Sequence, residues 1–406
     1  MIQTMLKNFF SKKNLFLRVA VGFALGVILG LVAPSFSIAT KVAGDVYLNL
    51  IKLMIVPVVI CAVFCGIANM KDGVLLRKVG LRTVGLYVLM FFASSAVSLL
   101  IVYLIRPGRG ITIASDVVFS SNLANTSVSS FFATIIPTNI FKAMADGNTL
   151  PIILFTAVFA IAVVSIKEKG TVIVEFMNSV SEAMFKMLGY FMELSPIGVM
   201  SLMAFSVASY GAGIFSALAK YIVCCWICCL ITFAVVMVLP SCLYTGVRPS
   251  RFLRACGKIS LVTLSTTSSA ATLPTTINVS IKDLGAPREI SEFTLPLGCT
   301  INMCGGACSF CCLAVFTADI YGLELSLWTI IAMVVVATLM NMAAPGIPGG
   351  GLILGASFLS IFGLPFDVMA LISGFYRLLD MAFTTVNVLG DVSANLIISK
   401  SVGKYS

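Results

Sequence analysis

The sequence predicts an all-α polytopic membrane protein, with eight transmembrane helices plus two re-entrant hairpins arranged as inverted repeats. Three observations predict it. The 406 residues are 59% hydrophobic and only 10% charged, against about 25% charged in soluble domains, so lipid is the solvent for most of the chain. The cations stand in short clusters between apolar runs, the positive-inside pattern. Two of the apolar runs carry helix-breaking residues at mid-membrane depth.

Apolar runs place spans near 15–34, 44–69, 79–105, 129–165 (broken by Pro137 and at 146–151), 175–208 and 213–244. The basic N-terminus lacks a small-residue cleavage site, so 15–34 reads as a retained first span and not as a signal peptide. The net charge of +10 needs no nucleic acid to explain it, because Lys71, Arg77, Lys78 and Arg82, or Arg248, Arg251, Arg254 and Lys258, flank apolar runs.

Segment 250–282 holds Ser265-Thr-Thr-Ser-Ser-Ala-Ala-Thr-Leu-Pro274, and segment 325–362 holds Ala343-Ala-Pro-Gly-Ile-Pro-Gly-Gly-Gly351. Irregular backbone at membrane depth is tolerated only inside protein or beside a wet cavity. Both segments therefore read as hairpins that dip in and return to their own side, followed by continuous helices near 289–318 and 367–400. Paired broken segments in an inverted repeat point to a transporter's binding site. Both flanks of the first hairpin are basic and the opposite loops are poor in Lys and Arg, which puts both termini in the cytoplasm. Ten full spans would also return the C-terminus inside, and would differ only in where the hairpin tips lie.

In the last helix Asp380, Thr384, Asn387 and Asp391 recur at i, i+4, i+7 and i+11 and share one face. Two carboxylates inside an apolar helix are costly unless they meet a cation, donors or water. They read as an amine-binding acid, Asp380, and a deeper cation-binding acid, Asp391, or as a buried network without a transport role. Asn302-Met-Cys-Gly-Gly306 suggests an unwound turn that frees carbonyl oxygens, which hard cations favour. The chain has thirteen cysteines and no histidine. Most cysteines lie within apolar runs, where small-apolar packing is favoured over a metal site.

At these residues the sequence resembles the dicarboxylate/amino acid:cation symporter family, which includes glutamate transporters and neutral amino-acid exchangers. The motifs are the serine-rich tip ending Ala271-Thr-Leu-Pro274, Asn302-Met-x-Gly, Gly346-Ile-Pro-Gly-Gly-Gly351, and Asp380 with Val386-Asn-Val-x-Gly-Asp391. The resemblance implies a homotrimer with scaffold helices in 1–249 and a mobile transport domain in 250–406, the third span moving with the latter. It assigns the substrate's α-carboxylate to Ser268, Ser269, Thr384 and Asn387, and its α-amino group to Asp380. Gly306, Phe383 and the second tip, Ile347, Pro348 and Gly349, complete the substrate site. One sodium ion falls to Gly298, Asn302, Asn387 and Asp391, and a second, through backbone carbonyls, to Thr300, Asn341 and Met342.

Three departures bear on substrate and coupling. Phe383 stands where acidic-substrate members carry an arginine. Cys304 and Gly306 replace the aspartate and threonine of their Asn-Met-Asp-Gly-Thr motif. Met90 and Phe91 stand in place of a polar Thr-Ser pair of a further sodium site, unless a shift of a few residues brings Ser94 or Ser95 there. The expectation is therefore a symporter or exchanger of a neutral amino acid, coupled to sodium, in the bacterial inner membrane, with no organic cofactor. The alternative is a sodium- or proton-coupled glutamate/aspartate (dicarboxylate) symporter in which another cation, such as Arg377, replaces the lost arginine. An enzyme is disfavoured, because no histidine and no partnered nucleophile is present. A passive channel fits the doubled hairpins less well than alternating access does.

Overall fold

The computed structural model describes residues 15–68, 74–110, 136–146, 149–210, 214–342, 350–365, 367–373, 375–403 and 405, and within them every regular element is helical. The N-terminal part runs α1 (Leu15–Val32), α2 (Pro34–Ala39), α3 (Lys41–Ala68), α4 (Val74–Ile105), α5 (Ile140–Ala145), α6 (Thr149–Ser165), α7 (Thr171–Met192) and α8 (Ser195–Tyr210). Then follow α9 (Ile214–Thr232), a π-helical stretch at Phe233–Val238, and α10 (Leu239–Thr245). The C-terminal part comprises α11 (Pro249–Thr266), α12 (Ser269–Lys282), α13 (Arg288–Ile301), α14 (Cys304–Ile320), α15 (Leu327–Asn341), α16 (Gly350–Ile361), α17 (Asp367–Ser373) and α18 (Tyr376–Ser401).

Packing sorts these helices into two groups. In one, α1 packs on α8, and α3 packs on α6, α7 and α8. Gly22, Gly26 and Gly30, spaced by four along α1, lie against α8 so closely that a Cβ at any of them would strike Pro196, Met200 or Val207; small residues at this spacing let two backbones meet. In the other group α4 packs on α14, and α18 is surrounded by α9, α11, α13 and α14. An Arg106–Asp319 ion pair of 2.7 Å ties the end of α4 to the end of α14. The groups meet where α16 touches α3 and α17 touches α8.

The first broken segment forms a helical hairpin. Pro249 opens α11 at the position where its missing N–H costs nothing. Thr267 then turns left-handed at φ 48°, an uncommon backbone for a β-branched residue, and Ser268 caps α12 by accepting from the Ala271 N–H at 3.2 Å. At the other end Arg251 donates to the Asp283 carbonyl and Lys258 pairs with the Asp283 carboxylate, both at 2.7 Å, so the two arms return to one side. The arms of the second segment, α15 and α16, also pack together, while the run 343–349 between them lies outside the described residues.

Three expected spans need correction. The single span 175–208 is two helices bent by 51° at Glu193–Leu194, where Pro196 in the first turn of α8 cannot donate into the preceding turn. The helix expected at 367–400 is α17 and α18, with the poor helix former Gly374 in sequence between them. The helix near 289–318 is interrupted at Asn302–Met303, where the unwinding was expected. Among the described residues four helices are long and apolar enough to cross a membrane, five if the bent pair is one span, and several shorter apolar helices accompany them. The chain is thus an all-α membrane protein with many apolar helices.

Candidate functional site

A cavity of about 40 Å³ opens where the first hairpin, the second hairpin, α14 and α18 converge. It has room for about three waters, and its wall carries Ser269, Gly306, Asn341, Gly351, Tyr376, Asp380, Phe383, Thr384 and Asn387. Six of the expected substrate residues therefore share one wall: Ser269, Gly306, Asp380, Phe383, Thr384 and Asn387. Ser268 stands beside it as the cap of α12. Ile347, Pro348 and Gly349 lie outside the described residues.

Polarity is concentrated on the α18 face. Asp380 is buried and accepts from the Thr384 hydroxyl at 3.2 Å, one helical turn away. Ser269 opens α12 and lines the cavity, so the positive dipole end of that helix adjoins the same space, a natural seat for a carboxylate. Arg377, half-buried one turn before Asp380, reaches the carbonyl of Thr266 at the end of α11 with its Nη2 at 3.4 Å.

The break in α13–α14 explains the position of Asn387. Met303 provides no side-chain cap for α14, and the orphan N–H of Gly305 instead donates to the Asn387 side-chain oxygen at 2.7 Å, a cap delivered from another helix. The Asn387 amide nitrogen donates to the Met303 sulfur at 3.1 Å. Gly305 is required for this approach, since a Cβ there would overlap the main chain of Phe383.

Deeper along α18 the expected cation residues also meet. Asn302 donates to the Asp391 carboxylate at 2.8 Å and to the Asn387 main-chain carbonyl at 3.3 Å. Gly298 lies against Asp391, and a Cβ there would strike both the carboxylate and the Tyr87 hydroxyl. A carboxylate, an amide and a carbonyl so gathered are the oxygen-rich set a hard cation takes, once the Asn302 amide turns its oxygen inward. Of the second set, Asn341 and Met342 end α15, whose last carbonyls are unpaired within the helix and carry the negative end of its dipole. Thr300 lies on α13, and nothing is described of its side chain.

Sequence reasoning missed Tyr87, Tyr376 and Ser309. Each had a signal: Tyr376 precedes Asp380 by four residues, Ser309 follows Gly306 by three, and Tyr87 leads the stretch containing Met90. Ser94, one turn beyond Met90, lies beside the Cys304 thiol. Met90 and Phe91 are buried, and Cys304 donates to the Asn302 oxygen at 3.0 Å.

Residues 15–401 match the sodium:dicarboxylate symporter family from near one end of the chain to the other. The chain belongs to this family. Among its relatives is the proton/sodium-glutamate symport protein of Bacillus subtilis (strain 168), 30% identical over 406 residues, covering 97% of this chain and 94% of the relative. The C4-dicarboxylate transport protein of Solibacter usitatus (strain Ellin6076) is 34% identical over 404 residues, covering 97% and 93%. The proton/sodium-glutamate symport protein of Bacillus caldotenax is 29% identical over 400 residues, covering 96% and 94%. Membership makes this symporter a multi-pass membrane protein with a small-molecule substrate. These names give no support to the neutral preference expected from Phe383. The alternative, with another cation such as Arg377 in place of the lost arginine, fits these names better.

Proposed function

We propose that the protein takes up an acidic amino acid, aspartate or glutamate, by symport with sodium. The observation that carries this reading is Asp380. A buried carboxylate in the wall of a cavity shared by both hairpins and α18 is a seat for a cation, and a substrate ammonium fits it. A plain dicarboxylate has no such group and would meet repulsion. The substrate's α-carboxylate would lie at the start of α12, with the Thr384 hydroxyl beside it. Its side-chain carboxylate would pair with Arg377, which cannot shed its charge and can bind a carboxylate with two parallel hydrogen bonds. The relatives' names support the acidic class, and both sodium and proton coupling occur among them. The oxygen set at Asp391 favours sodium.

The rest of the reading comes from the resemblance and the packing together. Residues 250–406 would move as the transport unit, carrying α4, against a scaffold built on α1, α3, α7 and α8. We propose three such chains in a bacterial inner membrane, with both termini in the cytoplasm. Light scattering on the detergent-solubilised protein checks the trimer, and cysteine labelling of the tail checks its side.

The deciding experiment is uptake of labelled aspartate into proteoliposomes, with unlabelled aspartate, glutamate, succinate, serine and alanine as competitors. Labelled aspartate should be taken up saturably, with glutamate competing, and Arg377→Met should abolish that uptake. Uptake of labelled serine or alanine with none of aspartate or glutamate would refute the acidic reading, and stronger competition by succinate would remove the ammonium from the site.

A further inference from the structure

Away from the cavity, six cysteines meet where α9 packs on α14: Cys224, Cys225, Cys228 and Cys229 from one helix, Cys308 and Cys312 from the other. All six are buried and none forms a disulfide. Their sequence setting favours packing, but the geometry is more specific. The sulfurs of Cys224, Cys228 and Cys312 all lie within 4.8 Å of one another, and those of Cys228 and Cys312 are 3.5 Å apart. Cys224 and Cys228 are four residues apart, so α9 presents both on one face, and α14 brings the third.

Three sulfurs around one metal at about 2.3 Å would stand about 4 Å apart in a trigonal plane, so the cluster already has the required size. The chain has no histidine, and among the described residues the oxygens near the cluster include the Ser98 carbonyl, 3.8 Å from the Cys228 sulfur, the Thr232 hydroxyl, 3.4 Å from the Cys308 sulfur, and the Tyr221 hydroxyl beside Cys225, with no carboxylate among them.

We propose that Cys224, Cys228 and Cys312 form a binding site for a soft monovalent d10 metal ion of the Cu(I) class, joining α9 to α14. Sulfur ligands select such ions, whereas sodium, calcium and magnesium require oxygen. Zinc is a poorer fit, because closed zinc sites are tetrahedral with four ligands and this cluster offers three. Cysteine ligates a metal as the thiolate, so binding of one Cu(I) displaces the three thiol protons to bulk water. No electron is transferred.

The test uses the purified full-length protein under anaerobic conditions, with Cu(I) alone as the probe and a chromogenic Cu(I) chelator as competitor. Wild type should withhold one Cu(I) per chain from the chelator, as should Cys61→Ser and Cys256→Ser, which lie outside the cluster. Cys228→Ser and Cys312→Ser should release it. X-ray absorption of the copper-loaded wild type should show a first shell of sulfur alone, a readout that needs no variant to fold. No copper withheld by wild type, a nitrogen or oxygen first shell, or equal retention in Cys312→Ser would each overturn the proposal.

Discussion

Two pairs of long helices in this protein obey opposite rules. The stretches Val79–Ile105 and Ala217–Thr245 have mean hydropathies of 2.5 and 2.9, yet only 39% of each is buried. Arg288–Ile320 and Tyr376–Ser401 are less apolar, at 1.7 and 1.4, yet are 94% and 83% buried. In a water-soluble protein the order would be reversed. Here the most hydrophobic helices turn large side chains such as Leu89, Leu100 and Leu104 outward, where lipid is the solvent. The helices that carry Asn302, Asp380, Asn387 and Asp391 are shielded by the others. The difference teaches that hydropathy in this chain measures distance from the site: a helix is polar in proportion to what it must bind.

The strongest way to break that rule is to show that interior charge is mere packing. Asp380→Asn keeps the size and removes the charge, and saturable aspartate uptake is expected to fall at least about 100-fold, equivalent to about 3 kcal/mol. The variant should still elute as a single oligomeric species. Wild-type uptake would reassign Asp380 to structure. Next in size is Asp391→Asn, which removes the charged ligand of the cation set. Uptake that persists should no longer respond to sodium, and a sodium dependence identical to wild type would place the coupling ion elsewhere.

A smaller effect sharpens the comparison from the packing side. Gly305→Ala forces a Cβ into the main chain of Phe383, an overpacking expected to cost about 1–3 kcal/mol and to lower the melting temperature in detergent. Unchanged melting would show that the contact between α14 and α18 can relax. Smallest of all is Leu100→Ala, on the outward face of α4, 64% exposed in the single chain. Its expected stability change is within about 0.5 kcal/mol. A large loss would mean that this face is covered by a neighbouring chain and not by lipid.

The all-helical membrane class, the family and the α18 stripe were legible because each rests on local pattern: apolar runs, motif spacing and a 3.6-residue period. The unwound turn at Asn302 was legible for the same reason. The bend at Glu193–Leu194 was hidden because hydropathy averages across it. The glycine series on α1 stood in the sequence with the spacing of a helix contact, but only the fold reveals that its partner is α8. The neutral preference read from Phe383 finds no support among the relatives, and the fold adds what one position could not show, that Arg377 approaches the first hairpin. The three-thiol cluster could not be read at all, since its members come from segments more than 80 residues apart.

The single amide of Asn302 has a further consequence. Its nitrogen holds both the Asp391 carboxylate and the main-chain carbonyl of Asn387, while Asn387's side chain faces the cavity. If a sodium ion at Asp391 turns that amide over, it also releases Asn387, so the two ligands communicate through one side chain. Thermodynamic linkage then makes the effect reciprocal: whatever factor sodium adds to aspartate affinity, aspartate must add to sodium affinity. Calorimetric titrations of each ligand with and without the other measure that factor. In Asn302→Ala, which also removes one sodium oxygen, the factor should collapse to unity while aspartate alone still binds.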